Sequence, residues 1–224
     1  MKLSVIIPVF NEAETLPVIL KKIMDLPVNK EIVIVDDHST DGSSDIIEGY
    51  RHLENIKIIK HPANYGKGMA VRSALQEVTG TITIIQDADL EYDPGDYEKL
   101  IEPILKEHIP VVYGARRGTY HSYFRFYLGG RLLSLIVNIL YKQNLTDVSC
   151  CYKVFETDFL KSIPLRCEGF DFDCEITTKI AKRNIRIREI PVSYIPRSFE
   201  EGKKIRWTDG AKAIWILLKN RFTD

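Results

Sequence analysis

Two aspartates separated by one small residue, Asp87-Ala88-Asp89, form the pattern in this sequence that most directly suggests chemistry. Carboxylate oxygens are the ligands that Mg²⁺ prefers, and Mg²⁺ usually keeps substrate phosphates in its coordination shell. The triplet therefore predicts a site for one Mg²⁺ or Mn²⁺ ion that assists a departing diphosphate as a Lewis acid. The alternative is a strand-to-loop turn with solvated acids.

Polar residues also follow two other apolar runs. Asn11 and Glu12 come after the first run, and Asp36 and Asp37 end the second. In a parallel sheet the carboxyl ends of the strands meet at one edge, where ligands bind. Together with the aspartate triplet, these residues predict one polar site at that edge.

The elements that must position these residues alternate along the first half of the chain. Apolar periodicity predicts strands at 3–8, 31–35, 56–59 and 81–86, separated by helices at 16–26, about 44–50 and 67–77. Further along it predicts a strand at 111–114, helices at 128–141, 174–183 and 208–222, a short strand at 154–155 and an edge or antiparallel strand at 187–194. The alternation predicts an α/β fold with a mainly parallel sheet and helices on both faces.

Composition excludes several classes of protein. Lysine plus arginine and aspartate plus glutamate each number 31, so no global charge suggests a nucleic-acid partner. The four cysteines lack CxxC spacing and the five histidines lack ligand spacing, which argues against zinc sites. With no signal peptide or run of about 20 apolar residues, the sequence predicts a cytoplasmic protein, with the cytoplasmic face of the membrane as a further location.

Basic residues near the predicted edge could bind phosphate. Gly66-Lys67-Gly68 would let the backbone approach a phosphate while Lys67 adds charge, but it lacks the spacing of a Walker loop. No GxGxxG follows the first strand, which disfavours a nicotinamide-dependent dehydrogenase. Arg116 and Arg117 follow the strand at 111–114 and could clamp phosphate in pairs of hydrogen bonds; a solvated loop is the alternative.

The order of these motifs resembles that of the family-2 inverting glycosyltransferases, in particular the polyprenyl-phosphate mannose and glucose synthases. The resemblance covers most of the chain, is strongest over residues 3–117, and rests on four segments: Pro8-Val9-Phe10-Asn11-Glu12, Val35 to Gly42, Asn64-Tyr65-Gly66-Lys67-Gly68, and Gln86 to Glu91. It implies a GT-A-type, Rossmann-like nucleotide-sugar-binding fold.

The resemblance also implies roles for individual residues. The donor-binding set is Pro8, Phe10, Asn11, Glu12, Val35, Asp37, Lys67, Asp87 and Ala88, and the metal shell is Asp87, Asp89 and Glu91. Residues 146–155 resemble the family's Asp-x-x-[Ser/Thr]-Gly-[Phe/Tyr]-[Arg/Lys] segment, with Cys151 in place of the glycine. Arg197 with Gly202, Lys203 and Lys204 resembles a basic loop that grips phosphate, about two residues longer than usual, which leaves Lys203 and Lys204 as alternatives.

The predicted reaction is inverting transfer of a hexose from a GDP- or UDP-sugar to a polyprenyl phosphate. A phosphate acceptor is already nucleophilic and needs positioning more than deprotonation, whereas a hydroxyl acceptor would need a base such as Asp147, Asp173 or Glu175. The last two belong, with Asp171, to an acidic patch that could instead cap a helix. The predicted catalytic set is Asp89, Arg116, Asp147, Asp173, Glu175, Arg197 and Lys204.

Three other functions remain open at this stage. The first is transfer to a hydroxyl of a soluble or polysaccharide acceptor. The second, a sugar nucleotidyltransferase, would be expected to carry a glycine-rich basic loop where Pro8 to Glu12 stand. The third is a non-catalytic nucleotide-sugar-binding protein.

We predict one domain over residues 1–224. It comprises a nucleotide-sugar-binding half (1–117), an acceptor half (118–195), and a basic loop with an amphipathic helix (196–224). The apolar segments 128–141 and 211–218 are flanked by arginine and lysine, so they could lie on a membrane surface. Packed core helices are the alternative.

Overall fold

The computed structural model describes residues 1–116, 124–197 and 207–223. Within these residues the strands are β1 (Leu3–Val9), β2 (Lys30–Asp36), β3 (Ile56–Lys60), β4 (Ile82–Ile85), β5 (Val111–Arg116), β6 (Lys153–Glu156) and β7 (Arg188–Val192). They form a single sheet in the order β3-β2-β1-β4-β6-β5-β7. Neighbouring strands are parallel, except that β6 runs antiparallel to both β4 and β5.

Helices cover this sheet. Those of the described residues are α1 (Leu16–Asp25), α2 (Ser43–Glu48), α3 (Lys67–Leu75), α4 (Tyr97–Glu107), α5 (Phe124–Tyr141), α6 (Thr157–Lys161), α7 (Phe172–Lys182) and α8 (Trp207–Thr223). Successive strand residues point to opposite faces, and Val5, Ile6 and Ile7 of β1 are all fully buried. Both faces of the sheet are therefore covered, which confirms the predicted α/β fold class.

Most predicted elements are present. The strand predicted at 187–194 occupies the sheet edge as β7, although it pairs in parallel with β5. The sequence prediction missed α4, the 3-10 turn Pro94–Asp96 before it, and the short α6. Helix α4 contains Pro103, a residue that usually ends a helix, but its apolar residues pack into the core.

Register brings the functional loops to one edge of the sheet. Val9 at the end of β1 is paired with Asp36 at the end of β2, and Ile6 is paired with Ile85 at the end of β4. Because β6 is antiparallel, its first residue, Lys153, lies beside Ile85 at the same edge. The carboxyl ends of β1, β2 and β4 thus share one rim with the start of β6, as the sequence predicts for the first three.

The C-terminal helices pack together beside the sheet. The Tyr141 hydroxyl at the end of α5 donates to the Leu217 carbonyl of α8 at 2.6 Å, and the Asn220 amide of α8 donates to the Thr178 hydroxyl of α7 at 2.8 Å. Val137 of α5 and Leu217 are fully buried. Among the described helices, none has the length and apolar character needed to cross a membrane.

One sheet takes strands from both the 1–117 and the 118–195 segments. The functional division of the chain into donor and acceptor halves stays a prediction from the sequence.

Candidate active site

Arg197 joins two acidic loops at the rim. Its guanidinium donates to the Glu12 carboxylate at 2.8 and 3.1 Å and to Asp89 Oδ2 at 3.2 Å. Its backbone N–H donates to Glu91 Oε1 at 2.8 Å, and the Tyr194 hydroxyl donates to Glu91 Oε2 at 3.2 Å. Four residues predicted separately for donor, metal and phosphate binding therefore form one cluster: Glu12, Asp89, Glu91 and Arg197.

The Arg197 side chain retains a donor that no contact within the described residues satisfies. Its Nε is buried, and the described part of the chain supplies no hydrogen-bond acceptor for it. A buried donor that lacks a partner carries a desolvation cost of roughly 1–3 kcal/mol. An incoming phosphate oxygen would remove this cost, so the arrangement fits an anionic ligand.

Asp87 is paired with a lysine at the start of α3. Lys67 at the start of α3 forms an ion pair with Asp87 Oδ1 at 2.7 Å. Burial acts to raise the pKa of Asp87, but the charge and hydrogen bond of Lys67, a hydrogen bond from Cys151 and the charge of Lys153 together bring it below its usual value. Lys67 thus helps to keep this carboxylate ionised through direct contact with the aspartate triplet, and its role in donor binding stays a prediction.

The second aspartate of the triplet is in a different electrostatic environment. Burial, followed by the negative charges of Asp87 and Glu91, raises the pKa of Asp89 to about 7. Like charges crowded in this way are the environment that a divalent cation neutralises, and the donors are the carboxylate oxygens that Mg²⁺ and Mn²⁺ accept. The residues therefore fit the predicted cation by their chemistry. In the described residues, however, no group of three or more acidic, histidine or cysteine side chains is arranged as a ready metal centre.

Cys151 lies beside the triplet. It is buried, its thiol lies 3.8 Å from the Ile85 carbonyl, and a hydrogen bond connects it to Asp87. The resemblance places a glycine at this position, but Cys151 is not among the residues with positive φ. A side chain is therefore accommodated here without strain in the backbone.

Asp37 organises the loop that precedes Lys67. Its carboxylate accepts from the backbone N–H groups of Tyr65 at 3.0 Å and Gly66 at 2.6 Å, and Oδ1 lies 2.7 Å from His61 Nδ1. Asp37 is itself almost fully buried. Its contacts in this structure therefore hold the 61–67 loop, and its predicted role toward a nucleoside stays a prediction.

The two glycines of this loop serve a close approach between chain segments. A Cβ atom on Gly66, whose φ is +96°, would lie 2.6 Å from the Glu168 carbonyl oxygen, and one on Gly68 would lie 2.5 Å from that of Cys167. The Met69 N–H donates to the Glu168 carbonyl at 3.0 Å. The sequence predicts that these glycines let the backbone approach a phosphate. In the structure, their lack of a side chain makes room for the backbone of residues 167–169.

The loops after β1 and β2 are joined by side-chain hydrogen bonds. Asn11 Oδ1 accepts from the Thr40 N–H at 2.7 Å, and Asp41 Oδ2 accepts from the Ala13 N–H at 2.9 Å. Asn11 has a φ of +53°, a conformation that asparagine tolerates better than most residues. These contacts fix the loop that carries Glu12. Of the remaining predicted donor residues, Pro8 is paired with Val35 across β1 and β2, Phe10 directly follows β1, and Ala88 is buried.

Arg116 and Asp147 form a second charged centre beside the first. Arg116 donates from Nε and Nη2 to both carboxylate oxygens of Asp147 at 2.6 Å, and its guanidinium lies 5.0 Å from the centre of the Tyr194 ring. Glu189 accepts from the backbone N–H of Asp147 at 2.9 Å. Tyr194 contacts both Arg116 and Glu91, so it connects the two charged centres.

The other two base candidates, Asp173 and Glu175, are each paired with a lysine. Asp173 forms an ion pair with the fully buried Lys153 at 2.7 Å. Glu175 accepts from the N–H groups of Arg166 at 2.9 Å and Cys167 at 2.8 Å, and pairs with Lys179 at 2.7 Å. These bonds lower the pKa of Glu175 against the opposing effect of burial. Glu175 therefore tethers the 166–167 segment to α7 instead of joining the cluster around Arg197.

Some site residues escaped the sequence prediction. Tyr194, His61 and Lys153 were assigned no individual role, since their contacts come from distant parts of the chain. Arg117, Gly202, Lys203 and the predicted catalytic Lys204 lie outside the described residues.

Comparison with known proteins identifies the family of this chain. The family described as Glycosyl transferase family 2 matches residues 4–163. An undecaprenyl-phosphate mannosyltransferase of Micrococcus luteus is 26% identical over 91% of this chain and 87% of its own length. An undecaprenyl-phosphate 4-deoxy-4-formamido-L-arabinose transferase of Aeromonas hydrophila is 27% identical over 89% of this chain, which spans only 62% of that relative.

Solved structures show the same fold. Glucosyl-3-phosphoglycerate synthase from Mycobacterium tuberculosis, in complex with Mn²⁺, uridine diphosphate and phosphoglyceric acid, superimposes with a TM-score of 0.77 at 20% identity, covering 100% of this chain and 79% of that one. The same enzyme with Mg²⁺ and uridine diphosphate gives 0.74 at 20% identity, covering 98% and 79%. The chain belongs to glycosyl transferase family 2 and is a glycosyltransferase of the GT-A fold.

Proposed function

We propose that this glycosyltransferase transfers a hexose, with inversion, from a GDP- or UDP-sugar to a polyprenyl phosphate, using Mg²⁺ or Mn²⁺ held by Asp87 and Asp89. The names of the two bacterial relatives, both undecaprenyl-phosphate sugar transferases, support this class of acceptor. When bound, the cation would neutralise charge that develops on the departing nucleotide diphosphate.

The pairing of the base candidates is the observation that carries the choice of acceptor. Asp147, Asp173 and Glu175 each form an ion pair with an arginine or lysine at 2.6–2.7 Å. A carboxylate held in such a pair would have to give up its cationic partner in order to take a proton from an acceptor. A hydroxyl acceptor would need a base, whereas a phosphate is nucleophilic without one. The ion pairs thus support a phosphate acceptor over a hydroxyl acceptor.

Arginine placement supports the same reaction. Arg197 has a buried Nε donor that could meet a donor phosphate, and Arg116 stands beside it as a second fixed cation. Two guanidinium groups on one rim could hold the donor diphosphate and the acceptor phosphate close together, which lowers the barrier by positioning and by charge neutralisation. Lys203 or Lys204 would add further positive charge.

The donor is tested first, by ligand stabilisation. UDP- and GDP-hexoses are screened with Mn²⁺ for a rise in melting temperature, because a ligand that binds the folded state stabilises it in proportion to occupancy. The selected donor is then incubated with undecaprenyl phosphate or with a panel of free sugars and glycerol. We expect a sugar–phosphate–lipid product and none from the hydroxyl acceptors. A product formed only with a hydroxyl acceptor would refute the proposed acceptor.

A polyprenyl acceptor resides in a membrane, so the proposal includes peripheral contact with a membrane surface. We place that contact at the cytoplasmic face. The spacing of the four cysteines supports this location, because it does not fit a disulfide scaffold.

A further inference from the structure

Two exposed apolar stripes lie on α5 and α8. On α5, Leu128, Leu132, Leu135 and Ile139 recur every three or four residues and are exposed, Ile139 to 69%. On α8, Trp215, Leu218 and Phe222 follow the same spacing, with exposures of 65%, 43% and 82%. This spacing places each set on one face of its helix.

The opposite faces of the same helices are buried. Ser134, Val137 and Tyr141 of α5 and Ala213, Leu217 and Asn220 of α8 pack into the protein. The exposed apolar residues are therefore additional to those that fold the protein. The sequence left a membrane surface and packed core helices as alternatives for these segments. One face of each helix packs into the protein, as the second alternative predicts, and the other face is exposed.

The two helices that carry the stripes are in contact with each other. The end of α5 touches α8 through the 2.6 Å hydrogen bond from Tyr141 to the Leu217 carbonyl. Large contiguous apolar patches are uncommon on proteins that have no partner at that surface. We call the seven residues Leu128, Leu132, Leu135, Ile139, Trp215, Leu218 and Phe222 the apolar face.

The charged residues around the apolar face indicate what it binds. Exposed lysines adjoin it, at position 142 after α5 and at positions 212 and 219 on α8. Helix α5 contains no acidic residue, and α8 contains a single one, Asp209, in its first turn. Apolar side chains bordered by lysines suit the interface of an anionic bilayer, where the former enter the acyl boundary and the latter meet lipid phosphates.

Helix α5 borders the active site with its other face. A Cβ atom on Gly130 would lie 3.8 Å from Arg116 Nη2. Gly130 belongs to the side of α5 that packs on the protein, so the apolar stripe points away from the Arg116–Asp147 pair.

We propose that the apolar face docks this enzyme on anionic lipid bilayers. Its use in bringing the enzyme to a lipid-borne acceptor rests on the proposed function, whereas the docking itself does not.

Vesicle binding tests the docking directly. The protein is sedimented with vesicles of phosphatidylcholine alone or with added phosphatidylglycerol. We expect binding to the anionic vesicles at low salt. The double variants Leu135→Ser/Ile139→Ser and Trp215→Ser/Phe222→Ser should each weaken it by at least about tenfold, since each removes two apolar side chains from the interface. Lys212→Gln and Lys219→Gln should each weaken it by roughly fivefold.

A matched control uses exposed apolar residues on other helices. Val18 and Leu105 are exposed to 46% and 48%, close to the 49% of Leu132. Val18→Ser/Leu105→Ser should bind anionic vesicles as the wild type does. The lysine variants alter no packed side chain, so they keep the test valid if an apolar variant folds poorly.

Tryptophan fluorescence provides a second readout. The chain has two tryptophans, so Trp207→Phe leaves Trp215 as the sole emitter. We expect its emission to shift to shorter wavelength with anionic vesicles. An unshifted spectrum, wild-type binding by both apolar double variants, or a wild-type dimer that ignores vesicles and dissociates in these variants would overturn the proposal; the last outcome would assign the apolar face to a second copy of the chain.

The enzymatic readout separates the two proposals. The apolar double variants should retain hexose transfer to a short-chain, water-soluble polyprenyl phosphate and lose transfer to the long-chain lipid in vesicles. If the wild type transfers to neither, the proposed function fails, while vesicle binding still decides whether the apolar face docks on membranes.

Discussion

Arg197 Nη2 donates a hydrogen bond to Asp89 Oδ2 at 3.2 Å, although the two residues are 108 positions apart in the chain. The same guanidinium holds Glu12, 185 residues away, at 2.8 Å. One arginine thus connects the loop after β1 to the aspartate triplet after β4. Its charge partly offsets the repulsion that Asp89 experiences from Asp87 and Glu91.

Removing this arginine should impair donor binding. A hydrogen bond to a charged group contributes about 1.5–3 kcal/mol, so we expect Arg197→Ala to lower kcat/KM for the nucleotide-sugar by at least about tenfold. Steady-state kinetics with varied donor would measure the change. Arg188→Ala is the control, because Arg188 pairs with Glu107 at the exposed surface and should have little effect. Equal activity of the two variants would contradict a role for Arg197 at the donor.

The Arg116–Asp147 pair should act as a structural unit. Because the pair is largely buried, with side-chain exposures of 25% and 10%, we expect Asp147→Asn to destabilise the fold by about 2–3 kcal/mol. A double-mutant cycle with Arg116→Lys, read by denaturant unfolding, should give a coupling energy of about 1–3 kcal/mol. If Asp147→Asn unfolds like the wild type but abolishes transfer, Asp147 acts as a base, and a hydroxyl acceptor becomes the better hypothesis.

The close approach at Gly68 predicts a local steric cost. In Gly68→Ala the new methyl would lie 2.5 Å from the Cys167 carbonyl oxygen. We expect a loss of about 1–3 kcal/mol in the free energy of unfolding, together with weaker donor binding, because Lys67 shares the displaced loop. Gly210→Ala in α8 meets nothing within 4 Å and should stabilise the protein by about 0.5–1 kcal/mol. Similar thermal denaturation curves for both variants would contradict this steric cost and show that the loop accommodates the added methyl group.

Glu31 makes the stability of the fold depend on pH. It lies near the start of β2, at the edge of the sheet opposite the active site. Burial opposes ionisation, but hydrogen bonds from Lys2, Ser4 and Thr79 lower the pKa of Glu31 to about 2. Since the folded-state pKa is depressed, the stabilisation is complete above the unfolded-state pKa of about 4.3 and is lost as the pH falls toward about 2.

Glu31→Gln should therefore cost about 2–3 kcal/mol at neutral pH and flatten the dependence of unfolding free energy on pH in the acid range. Urea unfolding at several pH values would measure both effects. Glu107→Gln, at an exposed ion pair, should change stability by less than about 0.5 kcal/mol. An acid slope in Glu31→Gln as steep as in the wild type would assign the pH dependence to other groups.

Local patterns were sufficient to predict the sheet and its rim. The β-branched run Ile32 to Val35 is buried on every residue, as expected for a strand covered on both faces. Polar residues that directly follow such runs must lie at the carboxyl edge, so Glu12, Asp37 and Asp87 were placed near one another by topology alone.

Pairings that depend on tertiary structure could not be predicted in this way. The insertion of β6 between β4 and β5 brings Lys153 to Asp173 and Cys151 to Asp87, and no local periodicity encodes that register. Glu175 illustrates the same limit. From the sequence, an acidic residue at the start of a helix could be a catalytic base or could accept structural hydrogen bonds. The structural role of Glu175 becomes evident only from the backbone N–H groups of Arg166 and Cys167, which donate to its carboxylate.

The most direct test of the central proposal is cation-dependent hexose transfer by the wild type and Asp89→Asn. Transfer of labelled hexose to undecaprenyl phosphate is measured while Mn²⁺ is titrated, with Asp93→Asn, at an exposed pair with Lys22, as the control. We predict that the wild type and the control require the cation, and that Asp89→Asn loses at least about a hundredfold in rate. Near-normal turnover by Asp89→Asn, or wild-type transfer unaffected by chelation, would contradict the proposed cation site.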